Sequence, residues 1–145
     1  MKANLLRDKK AYSTLFWTAF FTFCLIPIMA FSIELGRYYI ARTQIAAAAD
    51  ASALAAAIEI NQNTFVQTGQ IVPNSATYSW AQKAANLNGE ELISRKIYPT
   101  VSNIVVKNGS VMVAVSADLS ILFPSVVPDI QVTEWGKAEV RALSY

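Results

Sequence analysis

The 145-residue sequence has no histidine. Imidazole is the usual general base for hydroxyl and thiol nucleophiles and a common zinc ligand, so Ser-His-Asp and Cys-His pairs and the ordinary zinc sets are excluded together. Cysteine occurs once, as Cys24, which rules out an intrachain disulfide. The five glycines, at 36, 69, 89, 109 and 136, are too far apart for a phosphate-cradling loop. Charge is scarce at 15% of residues. Four of the cations, Lys2, Arg7, Lys9 and Lys10, fall in the first twelve residues against Asp8 alone. That leg carries +3 and, from an overall +2, the remainder carries −1. No clustered basic surface is left for a nucleic acid. Glu90, Glu91, Asp118, Asp129, Glu134 and Glu139 lack the spacing of a calcium loop or of a catalytic carboxylate pair, and are expected on solvated surface. No enzyme activity, metal or cofactor is expected.

What the sequence has in excess is apolar residues, at 54%. Leu15 to Ile33 runs without a charge, and as a helix it would span roughly 28 Å, close to the thickness of a hydrocarbon core. A lone segment in lipid must bond its own backbone, so helix is expected even through Pro27, which should kink it or loosen one turn. Tyr12 and Trp17 near one end, and Tyr38 and Tyr39 beyond the other, suit interfacial anchors. The basic leg predicts a cytoplasmic N-terminus by the positive-inside rule. A cleaved secretory signal is the competing reading, but the run is long for a signal core, and Ile28-Met29-Ala30 is a poor small-x-small site.

The helical pattern continues past Ile33, with no proline and only Gly36 before Ile60. Leu35, Tyr38, Arg42, Ile45, Ala49, Ser52, Ala53 and Ala56 recur at three- and four-residue spacing, giving one apolar or small stripe. Methyl side chains let another backbone approach closely. The stripe is therefore either a packing and assembly contact, centred on Ala49, Ala53 and Ala56 with Leu35, Tyr38 and Ile45, or a plain helical spacer. Asp50, Arg42 and Glu59 are expected to face water.

Residues 61–75 are polar, with Gly69 and Pro73, and read as a loop. Asn74 or Ser75 is expected to cap a second helix ending near Asn88-Gly89, burying Tyr78, Trp80, Ala81, Ala84 and Leu87. Ile104, Val106, Val111, Val113 and Val115 alternate about Asn108-Gly109, a strong hairpin signal. A third strand is expected over Ile130 to Val140 with a bulge at Gly136. The apolar, proline-containing segment 121–129 should tuck against the sheet or insert into a partner.

Glu34-Leu35-Gly36-Arg37-Tyr38, then Arg42, Gln44 and Ala48-Ala49-Asp50-Ala51-Ser52-Ala53-Leu54-Ala55-Ala56-Ala57, resemble the TadE/TadG-like family of the tight-adherence (Tad, or Flp) pilus system over about residues 10–60. Its pattern joins a basic leg, one membrane helix, an E/D-x-G-R turn and an alanine-rich stretch, so Glu34, Gly36, Arg37 and Asp50 stand as family-motif positions. Leu122 to Val127 followed by a strand is similar to how such chains end. Processed relatives carry a small residue before the cut and Glu five positions after it; with Ala11 before the cut, Phe16 stands in that place. An uncleaved N-terminus is therefore expected.

Three strands with a helix on one face make the expected class α+β, and the expected fold is pilin-like: a long N-terminal transmembrane helix continuing into a small domain with a second helix and a three-to-four-stranded antiparallel sheet. The expected organisation is a cytoplasmic leg (1–12), a membrane helix (13–33), its exported continuation (34–60) and an exported α+β domain (61–145). The resemblance implies a minor-pilin or pseudopilin-like subunit of a Tad-type pilus or secretion filament, in a single-pass inner-membrane protein whose C-terminal domain is periplasmic or extracellular. Expected partners are other pilus subunits, the inner-membrane assembly platform and membrane lipid. The alternatives are an inner-membrane assembly factor and, from another class, a membrane-anchored ligand-binding domain. Twelve residues of leg are too few for a folded output module, which counts against a sensor.

Overall fold

The computed structural model describes residues 9–120 and 129–140, without the side chains of 9–11 and 62. Four helices, α1 (Lys9–Ile58), α2 (Gln62–Thr68), α3 (Thr77–Asn88) and α4 (Glu90–Ser94), precede three strands, β1 (Thr100–Lys107), β2 (Ser110–Leu119) and β3 (Ile130–Glu139). The class is α+β, as the sequence implied, and among the described residues the sheet has three strands in the order β1-β2-β3, antiparallel throughout. The chain divides into two compact units, Met1–Arg37 and Tyr38–Tyr145.

The described part of the first unit is helix. α1 continues through Pro27 and is long and apolar enough to cross a membrane. Its large apolar side chains, from Phe16 and Trp17 through Phe23 to Ile33, all stay exposed. A core helix of a soluble protein would bury such a face, whereas lipid would cover it.

In the second unit the remainder of α1 buries Ala41, Ile45, Ala48, Ala49, Ser52, Ala53 and Ala56, a stripe at the helical period. The buried hydroxyl of Ser52 is satisfied by donating to the Ala48 carbonyl at 2.7 Å. Opposite the stripe stand the alternate residues of β2, Val111, Val113, Val115, Ala117 and Leu119, all buried, with Ile104 and Val106 of β1 packed beside them. The hairpin forms as its residues dictate: Asn108 (φ 51°) and Gly109 (φ 73°) both take the left-handed conformation that a two-residue turn of matching twist requires.

The bulge lies elsewhere than expected. β3 pairs with β2 in unbroken register through Val113 opposite Gly136, and the shift falls in β1 between Val101 and Asn103. Gly136 is needed for a different reason: a Cβ there would lie 2.1 Å from the Ala49 carbonyl oxygen, so the α1 backbone rests directly on the strand.

Two helix expectations also change. The segment 61–75 contains α2, capped by the Asn61 side chain accepting from Thr64 N–H at 3.1 Å and closed by Gly69 in the left-handed conformation. The local capping bonds of Asn and Gly make a short helix where composition suggested only a loop. α3 starts later than expected, with Ala76 rather than Asn74 or Ser75 at its N-cap. It buries Thr77, Ala81 and Ala85, leaving Tyr78, Trp80 and Leu87 about half exposed or more. Small residues at four-residue spacing are what fit α3 close to the domain, where larger ones would hold it off. Its outward flank then serves β1. Gln82 accepts from Val101 N–H at 2.8 Å and donates to the Pro99 carbonyl at 2.9 Å, and the Tyr78 hydroxyl donates to the Val101 carbonyl at 2.6 Å. These bonds occupy edge groups that would otherwise invite another strand.

Candidate functional site

The sequence singles out α1, and its features divide between the two units. In the first, Glu34 and Arg37 sit one turn apart and form an exposed ion pair at 3.1 Å. At that exposure such a pair contributes at most about 1 kcal/mol. Leu35 is 43% exposed, and Gly36 has open space where a side chain would stand, so neither is demanded by packing within the described residues. Of the expected topology residues, Lys2 and Arg7 lie outside the described residues. Lys9 and Lys10 begin α1, with side chains also outside them. Residues 121–128 of the apolar segment lie outside as well.

In the second unit α1 is tied to the domain at three kinds of contact. Backbone meets backbone at Ala49 and Gly136. The Arg42 guanidinium donates to and pairs with the Glu134 carboxylate of β3, whose hydrogen bond and charge raise the arginine pKa further above its ordinary value. Arg42 is therefore a permanent cation, and the pair joins helix to sheet. On another flank Gln44 donates to Glu91 of α4 at 2.5 Å, and Glu91 also accepts from Arg95. The other amide atom of Gln44, Oε1, is buried without a partner among the described residues. Turning the amide over would set that oxygen against the carboxylate, so the single good bond decides its orientation.

The stripe residues accordingly have different surroundings. Ile45, Ala49, Ala53 and Ala56 are fully buried inside the domain, and Tyr38 packs partly buried against the same core. Asp50 and Arg42 face water as expected, while Glu59 is half-buried. Thr43, Ala47, Leu54 and Ile58 share the outward side with Asp50. Glu134, expected on solvated surface, is instead partly covered and paired across elements. Gly136, Gln44 and Glu91 went unrecognised as tethers. A glycine inside an alternating strand is a signal for close backbone approach as well as for a bulge, and here the first meaning applies.

Among the described residues, one helix is long and apolar enough to cross a membrane, and it continues as the core helix of an α+β domain, an arrangement that suits a membrane-anchored protein. Residues 12–59 match the family model described as Tad, putative Flp pilus-assembly TadE/G-like, so this segment is similar to that family. The match ends one residue past the end of α1. No curated protein and no solved structure matches the chain.

Proposed function

We propose that this protein is a non-catalytic, minor-pilin or pseudopilin-like subunit of a Tad-type pilus or secretion filament, held in the inner membrane with its N-terminus in the cytoplasm and its α+β domain outside. The observation that carries this reading is α1 itself. The family-matched segment runs from an exposed apolar stretch into the buried centre of the domain as one helix. A subunit built this way offers a structural element to an assembly and needs no reactive site. Shearing surface filaments from cells and probing for the chain in filaments and in inner membrane tests the role: presence in the sheared fraction is expected, and strict retention in the membrane would overturn it.

One residue favours the second reading, an assembly factor that stays in the membrane. Phe16 stands where a processed pilin has Glu. The expected intact mass is that of the unprocessed chain; loss of the leg up to Ala11 would show processing in spite of Phe16. Orientation has its own test. The cations Lys2, Arg7, Lys9 and Lys10 support a cytoplasmic leg by the positive-inside rule, so a reporter active only in the periplasm, fused after Tyr145, should give signal, and a reporter active only in the cytoplasm should give none.

A further inference from the structure

The two ends of the sheet differ in chemistry. At one end the β1–β2 hairpin presents Lys107, Asn108 and Gly109, with Lys137 and Glu139 of β3 alongside, all exposed. At the other end Leu119 pairs with Ile130, and Tyr98 leads into β1; Tyr98 is 63% and Ile130 41% exposed.

The direction of α1 across the sheet shows which end the chain enters. Arg42 meets Glu134 and Ala49 meets Gly136, so α1 advances along β3 in the same sense as the strand. Its entry into this unit, at Tyr38, is therefore at the Ile130 end. There Tyr39 and Ile40 are 56% and 50% exposed. Two independent features coincide: the end with exposed aromatic and aliphatic side chains is the end through which the chain arrives from its apolar segment.

We propose that this end of the domain, carrying Tyr39, Ile40, Tyr98 and Ile130, is a lipid-contact face that seats on the headgroup layer of the bilayer. Tyrosine suits that depth because its ring is apolar and its hydroxyl keeps a polar partner. Continuity with the apolar helix points to the bilayer as the occupant, because the uncharged lipid-length run ends at Ile33, little more than one helical turn before Tyr38. Asp118 and Asp129 are exposed at the same end. They disfavour an anionic headgroup layer, so the face is matched to zwitterionic lipid. The proposal rests on α1 being anchored in lipid.

The test uses the full chain with Cys24→Ser, reconstituted in phosphatidylcholine vesicles containing a headgroup nitroxide lipid and labelled with an environment-sensitive fluorophore at one cysteine. Ser120→Cys reports the proposed face, Lys107→Cys the hairpin end, and Phe23→Cys the anchor. Quenching at 120 is expected to exceed that at 107 several-fold. It should fall to the level of 107 when Tyr98→Ser and Ile130→Ser are combined, and should weaken when phosphatidylglycerol replaces half the phosphatidylcholine. Equal quenching at 120 and 107, with Phe23→Cys still showing the blue-shifted emission of a label in hydrocarbon, would overturn the lipid face and leave the anchor standing. Water-like emission at Phe23→Cys would overturn the anchor and the face with it. Circular dichroism of the double variant separates loss of contact from loss of fold: unchanged spectra with unchanged quenching at 120 would also overturn the proposal.

Discussion

Gly136→Ala is expected to lower the unfolding midpoint of the domain on the order of 10–20 °C, the equivalent of about 3 kcal/mol in a domain of this size. The added methyl would sit 2.1 Å from the Ala49 oxygen and 2.5 Å from the Asp50 nitrogen. Both obstacles are helix backbone, which cannot rotate away as a side chain does, so α1 must lift from β3. Lifting it would loosen the contacts of Ile45, Ala49 and Ala53 and pull on the Arg42–Glu134 pair together. Gly36→Ala is the matched control, since nothing lies within 4 Å of its Cβ position. It should be neutral or stabilising by roughly 0.5–1 kcal/mol from helix propensity. Thermal unfolding of the full chain in detergent, followed by tryptophan fluorescence, measures both. A Gly136→Ala protein that melts like the parent would mean α1 does not rest on the strand.

Ala53→Leu is expected to destabilise the domain by up to about 3 kcal/mol, because Ala53 is fully buried and the larger side chain has no space to fill. Leucine and alanine are both strong helix formers, so the loss would come from packing. Leu54, one position away and 59% exposed, provides the contrast: Leu54→Ala should change stability by less than about 0.5 kcal/mol. The pair also separates two roles for α1 in filaments. If Ala53→Leu abolishes filaments only together with folding, the alanine face acts inside the subunit. Abolition by Leu54→Ala with folding intact would place the contact with neighbouring subunits on the outward side of the same helix. A fully stable Ala53→Leu protein would contradict the burial of this face.

Some of this was legible in the sequence because it depends on local causes. The Asn108-Gly109 turn follows from two adjacent residues that tolerate positive φ. The alternation of Val111, Val113 and Val115 needs only the two-residue period of a strand. The motif residues of α1 could be read in order without knowing what they touch. The reading of α3 failed for the opposite reason. Trp80 and Leu87 look like core residues by size, yet close approach to the domain is made by Thr77, Ala81 and Ala85, and the sequence alone offers either side of such a helix.

By itself, the sequence determined that one uncharged run can span a bilayer, that imidazole chemistry and an internal disulfide are absent, and that helix gives way to paired strands. Those properties are set by composition and by neighbours a few residues apart. Tertiary structure decided that the alanine stripe lies inside the domain, that Gly136 is a seat for α1 rather than a bulge, and that Arg42 and Glu134, 92 positions apart, form one pair. The physical reason is that alanine and glycine tolerate both solvent and contact. Their periodicity marks a face without saying what covers it, and only the packed strand opposite supplies the answer.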